Sequence, residues 1–151
     1  MSIIVRKATN SDSKWILGQL SVFSKFFESK YQLFSGEANE TDLATLSFMI
    51  NDHLFLVAER EDGVLLGLVS GLYSPHLFNP NIKVLTETFW WVDEQHRGTR
   101  AGYLLLKEFI RIGREDCQWI LMTLEKKSPV HDEALIKLGF KEKEKIFLME
   151  V

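Results

Sequence analysis

The range of folds open to this chain narrows first at Leu54 to Val92. Three runs rich in β-branched and aromatic residues lie there: Leu54 to Ala58, Val64 to Tyr73 and Ile82 to Val92. The first two meet across Glu61-Asp62-Gly63. Asp-Gly between two such runs predicts a hairpin, because a tight primed turn needs positive φ. Ser74 to Asn81, with Pro75 and Pro80, reads as a loop. In the third run, alternation places Thr86, Thr88, Trp90 and Val92 on one face and Leu85, Glu87, Phe89 and Trp91 on the other.

The flanking segments carry helical periodicity. Ile3 to Ala8 predicts a short strand, and Asn10, Ser11 and Asp12 supply N-cap chemistry for a helix. From Ser13 to about Lys30, Trp15, Ile16, Leu20, Phe23, Phe26 and Phe27 recur at helical spacing. Ser35-Gly36-Glu37 breaks the pattern, and Thr41-Asp42 caps a second short helix through Leu43, Leu46, Phe48 and Ile50. Arg100 to Glu115 is amphipathic along Leu105, Phe109 and Ile112, and Gln118 to Leu124 reads as a buried strand. Ser128-Pro129 opens a last helix, with Val130, Ala134, Leu135 and Leu138 as its stripe and Gly139 at C′. Phe140 to Val151 reads as a closing strand. The order β-α-α-β-β-β-α-β-α-β predicts a mixed α/β (α+β) fold, with antiparallel hairpins first and crossover helices later.

Composition excludes several classes. At 151 residues, 46% hydrophobic and 26% charged, the chain is expected to form one globular domain over residues 1–151. Eighteen basic against 21 acidic residues give a net charge of −3, so no basic patch argues for nucleic acid. No run approaches the length of a membrane span; the longest apolar region, Val64 to Tyr73, is broken by Gly67, Ser70 and Gly71. The start of the chain lacks the pattern of a secretory signal. Cys117 is the single cysteine, so no disulfide can form within the chain, and a reducing, cytoplasmic location is expected.

Gln95-His96-Arg97-Gly98-Thr99-Arg100-Ala101-Gly102 stands between the long strand and the amphipathic helix. Small residues there let a ligand approach the backbone, and a helix start offers unpaired N–H groups and a positive dipole end. The combination suits an anion such as a pyrophosphate, with Arg97 and Arg100 adding charge-assisted contacts. It also suits a plain strand-to-helix turn with solvated arginines. Other chemistries lack their patterns. There is no G-x-G-x-x-G and no P-loop, and Gly67-Leu68-Val69-Ser70-Gly71 has the wrong spacing for a nucleophile elbow. His53, His76, His96 and His131 are far apart, without H-E-x-x-H or C-x-x-C, so no metal is expected.

Three segments resemble the GNAT superfamily of acyl-CoA-dependent N-acetyltransferases. Val5 to Asp12 resembles its opening strand and turn, Trp90 to Gly98 the strand and loop leading into its acyl-CoA site, and Leu135 to Phe140 the helix end often written Tyr-Glu-Lys-Leu-Gly-Phe. The variant Arg97-Gly-Thr-Arg-Ala-Gly102 further resembles bacteriophage-encoded members. The resemblance implies a mixed, mostly antiparallel sheet splayed at its centre with helices on both faces. It implies acetyl-CoA as co-substrate and a primary amine as acceptor: a small molecule, a protein lysine or an N-terminus.

Carried over residue by residue, the resemblance makes Arg97, Gly98, Thr99, Arg100, Ala101 and Gly102 the pyrophosphate cradle. Aligning the helix through Leu105 and Leu106 puts Arg97 first, Arg100 at the first small position and Gly102 at the last. Arg100 departs from the family pattern there. Backbone at Trp91 and Val92 would pair with the pantetheine arm, and Ser128 matches a frequent asparagine beside the cofactor. Leu135 matches the tyrosine that usually reprotonates the thiolate, which leucine cannot do. A non-catalytic acyl-CoA-binding or protein-interaction module is therefore a second expectation.

Amine attack also needs a base. Glu87, on the central strand a few residues before the cofactor loop, is the candidate, and it would serve equally as an ordinary partner for a lysine or as a side chain at the sheet rim. His131, one helical turn before Leu135, is the candidate acid, or a structural residue at a helix edge. The stripe Trp15, Phe23, Phe26, Phe27, Tyr31 and Phe34 falls where the family's substrate helices lie and should be mostly core, with one or two residues lining an acceptor pocket. Adjacent Trp90 and Trp91 must face opposite ways, and an exposed tryptophan with the late strands would permit a homodimer.

Overall fold

The computed structural model describes residues 1–34 and 39–151. The helix break expected at Ser35-Gly36-Glu37 lies outside the described residues. The elements are β1 (Ile3–Lys7), α1 (Ser13–Ser24), α2 (Glu40–Asp52), β2 (Leu54–Arg60), β3 (Leu65–Pro75), β4 (Lys83–Val92), α3 (Ala101–Asp116), β5 (Trp119–Leu121) and α4 (Asp132–Lys137). The strands form one sheet in the order β1-β2-β3-β4-β5. The first four pair antiparallel and β5 pairs parallel with β4, giving the mixed, mostly antiparallel sheet that the sequence predicts.

The β2–β3 hairpin forms where Asp62-Gly63 predicts it. Gly63 alone has positive φ (+87°), and the Arg60 N–H donates to the Val64 carbonyl at 2.9 Å, so the loop has three residues and is not a two-residue primed turn. In β4 the register jumps from Phe89↔Ser70 to Glu87↔Gly71, which leaves Thr88 as an extra residue. This bulge corrects the expected alternation. Phe89 and Trp91 belong to the core beneath α1 and α2, with Ile16, Leu20, Phe55, Val57 and Leu68. Leu85, Trp90 and Val92 belong to the opposite core, with Leu56, Val69, Leu105 and Phe109 of α3. Helices thus cover both faces.

Three boundaries differ from the sequence reading. Helix α1 stops at Ser24, a 3-10 turn follows over Lys25–Phe27, and Glu28 adopts a left-handed conformation with φ 50°. The Glu28 carboxylate ion-pairs with Lys127, which fastens this helix end to the loop after β5. Helix α2 is capped by Asn39, whose side chain accepts from the Asp42 N–H at 2.8 Å; Thr41 and Asp42 already lie inside the helix. Ser128-Pro129 does not open α4. Ser128 Oγ accepts from the Val130 N–H at 3.2 Å in a local turn, and the helix begins after His131 at the N-cap. Its other end matches the prediction: Gly139 (φ 101°) and Phe140 donate to the Ile136 and Leu135 carbonyls, a Schellman closure.

The last corrections concern strands that lack a partner. Only Trp119–Leu121 of the expected Gln118–Leu124 run is strand, and Trp119 and Leu121 are exposed. Phe140 to Val151 joins no ladder, and Phe147 is 90% exposed. A β-rich run becomes a strand only where a neighbouring backbone meets its N–H and C=O groups. The ladder between β4 and β5 ends at Thr86↔Leu121, and the tail instead reaches the segment that follows α1 and its 3-10 turn. There the Glu150 carboxylate accepts from the Lys30 N–H at 3.1 Å and the Tyr31 hydroxyl donates to the Val151 carbonyl.

Candidate active site

The site follows from where β4 loses its neighbour. Beyond Thr86 it runs on to Val92 with no ladder to β5, and the gap widens into a cleft of about 320 Å³. Glu87, Trp91, Val92, Arg97, Gly98, Thr99, Gly102 and Ser128 all line it, together with Phe23, Phe26, Trp90 and residues 123–125 and 127. Arg100, Ala101 and His131 do not. The Arg100 guanidinium lies 5.9 Å from the Tyr103 ring centroid, Ala101 is fully buried, and His131 is exposed one residue past Val130 of the lining.

One end of the cleft is built by the start of α3. Thr99 Oγ1 donates to the His96 carbonyl at 2.8 Å and accepts from the Ala101 N–H at 3.3 Å, closing the loop. The N–H groups of Gly102 and Tyr103 have no acceptor within the helix, because the residues four positions earlier precede it. Gly98 holds φ +87° with open space on the side where a Cβ would stand, and a Cβ on Gly102 would meet Val92 Cγ2 at 3.3 Å. These features fit a diphosphate: free amides at a helix start, glycines that clear its approach, and the Arg97 cation nearby.

The loop is fixed from outside by contacts that no local pattern announces. The Trp90 indole N–H donates to the Gly102 carbonyl at 3.1 Å, tying α3 to β4. On the opposite face the Trp91 indole donates to Gln19 Oε1 at 2.8 Å, and Gln19 Nε2 donates to Asp93 at 3.2 Å. Asp93 in turn accepts from the Gln95 N–H, which begins the 3-10 turn over Glu94–His96. No motif in the sequence singles out Gln19; only its place on the inward side of α1 points to it. The Arg97 guanidinium stacks 4.7 Å from the Trp91 ring centroid.

At the point where the strands part, Glu87 is 8% exposed. Burial pushes its carboxyl up to about 7, against a smaller opposing effect of the Thr123 backbone N–H that hydrogen-bonds it. Among the described residues no cation lies within ion-pair distance of Glu87, so its expected alternative role as a lysine's partner is not realised. A buried, unpaired carboxyl poised near neutrality in a cleft is suited to proton transfer.

The acetyltransferase (GNAT) family model matches residues 21–140. The fold is similar to that of a transcriptional regulator from Bacillus halodurans, at 19% identity and TM-score 0.79, covering 99% of this chain and 100% of that one. It is similar also to a Trypanosoma brucei acetyltransferase (21%, TM-score 0.73, 99% and 100% covered). A third likeness is to glucosamine-6-phosphate N-acetyltransferase from Arabidopsis thaliana (18%, TM-score 0.73, 99% of each chain). Among curated proteins no match was found. Nothing in these matches carries the expected likeness to bacteriophage-encoded members.

Proposed function

The chain belongs to the acetyltransferase (GNAT) family, and from that premise we propose that residues 1–151 form one domain that moves an acetyl group from acetyl-CoA to a primary amine by direct attack in a ternary complex. One observation carries the reading: Glu87 sits at the apex of the β4–β5 gap, in the same cleft as the free amides at the start of α3.

Bound acetyl-CoA supplies a thioester, whose carbonyl carbon is already open to attack by an amine. The Gly102 and Tyr103 amides and the Arg97 side chain hold its diphosphate, with Gly98, Thr99 and Ala101 shaping the loop. Arg100 keeps its side chain on Tyr103, away from the cradle. At Trp91 and Val92, β4 pairs with β3 on one side only, and its edge toward β5 aligns the pantetheine arm by strand addition, with Ser128 bordering it from the other wall. Glu87 as carboxylate takes the proton that the acceptor ammonium must lose, so that a neutral amine forms the new C–N bond as the C–S bond breaks. Leu135 stands where relatives often place a proton-donating tyrosine. The leaving thiolate is therefore protonated by solvent, since His131 stands outside the cleft lining at the start of α4. Positioning supplies much of the rate for so activated an acyl donor.

Thiol release from acetyl-CoA, measured with a panel of primary amines, tests this. Glu87→Gln should slow turnover by about 10²-fold and abolish a rise in rate through neutral pH. A wild-type pH profile in that variant would remove Glu87 from the mechanism. Leu135 favours one other reading, an acyl-CoA-binding module without turnover. That reading predicts CoA binding with no thiol release for any amine.

A further inference from the structure

The two ends of the cleft differ chemically, and the difference bears on the acceptor. We infer that the acceptor is a primary monoamine carried on an uncharged, apolar body about the size of an aromatic ring, its amino group directed at Glu87 and its body packed on Phe23 and Phe26. The inference rests on the acetyl-transfer reading above and adds a substrate class to it.

The aromatic end is built by α1 and the turn that follows it. Phe23 and Phe26 pack edge-on against Trp91, with ring centroids at 5.5 and 5.3 Å. Phe89 and Phe27 extend the same cluster from Phe23. Phe23 and Phe26 nevertheless line the cleft that Glu87 also lines and give it an apolar wall, while the Trp91 ring behind them is covered by the Arg97 guanidinium. Such a wall holds a ring or short alkyl body by area and by edge-to-face contact.

Among the described residues the lining holds two carboxylates, Glu87 and Glu125, and two cations, Arg97 and Lys127. The Lys127 ammonium is paired with Glu28, while Glu87 and Glu125 each accept one backbone N–H, from Thr123 and Lys127. Either carboxyl can receive an ammonium. A polyamine would carry its further ammonium groups along the aromatic wall, where charge leaves water without a partner. A lysine side chain in a peptide would bring flanking polar backbone to the aromatic rim. A single amine on an apolar body meets an acid and covers the wall.

Calorimetric binding of phenethylamine, ethanolamine, spermidine and a lysine-containing peptide to the CoA-saturated protein tests the class, run beside thiol release with the same four amines. Phenethylamine should bind at least about tenfold more tightly than the others, and Phe26→Ala should remove about tenfold of that preference, near 1.4 kcal/mol. The CoA affinity of the variant reports its fold. Tightest binding or fastest turnover of spermidine, ethanolamine or the peptide would overturn the inference and leave acetyl transfer standing. Selective phenethylamine binding without thiol release would uphold the pocket and overturn transfer. Equal weakening of all four amines by Phe26→Ala would also overturn the assignment.

Discussion

At the scale of single residues, Glu87 couples stability to pH. Its carboxyl titrates near 7 in the folded protein, against 4.5 when free, because burial disfavours the charge. Between those values the native state binds more protons than the unfolded chain, so stability falls as pH rises. The whole window is worth about 3 kcal/mol if the shift is fully expressed. Glu87→Gln should remove that slope, leaving a protein more stable than wild type at pH 8 and little changed at pH 4.5 in urea unfolding. Parallel urea midpoints for the two proteins across this range would show that Glu87 is solvated. Asp12 works in the opposite sense. Arg6 holds its carboxyl below the ordinary range through contacts of 2.9 and 3.0 Å, so this contribution is present above the unfolded pKa and fades only in acid. The two carboxyls, one paired and one not, separate a structural acid from a reactive one.

At the scale of elements, the start of α3 is the joint on which cofactor binding turns. Trp90 grips the Gly102 carbonyl from β4, and Val92 leaves only 3.3 Å for a Cβ at Gly102. Gly102→Phe should therefore send its ring into the cleft and abolish CoA binding. Its unfolding free energy in urea should stay within about 1 kcal/mol of wild type, because Gly102 is a lining position outside the buried core. Unchanged CoA affinity in a folded variant would refute the phosphate cradle. The Gly139 closure of α4 shows how well such signals read locally: its glycine, its φ of 101° and its two carbonyl acceptors all lie within one turn. The start of α4 departs from its local signal for a related reason. Ser128-Pro129 has the sequence of a helix opening, yet Ser128 spends its hydroxyl on the Val130 amide and the chain coils only after His131.

At the scale of the molecule, the cleft exists because two halves of one sheet part company. Beneath it, α1 and α2 pack on one face and α3 on the other, so the opening is held from both sides. A ligand that fills it stabilises the whole structure by mass action. CoA at 100 times its Kd should add about 2.7 kcal/mol, or about 5–10 °C in Tm for a chain of this length. No shift at saturating CoA would overturn the assignment of this cleft to the cofactor.

Much of this was legible in the amino-acid order, for a reason that also sets its limit. The hairpin at Gly63, the periodicity of α3 and the small residues from Gly98 to Gly102 depend on neighbours a few positions away, where spacing alone dictates geometry. The family resemblance added Trp91, Val92 and Ser128, which local chemistry does not single out. Tertiary structure decided what depends on distant partners. The extra residue at Thr88 turns Phe89 and Trp91 away from the face of Leu85, and Gln19 reaches from α1 to join Trp91 to Asp93. Phe140 to Val151 has the composition of a strand and no strand beside it. A backbone hydrogen bond across a sheet belongs to two segments at once, and neither sequence by itself records where the other will stop.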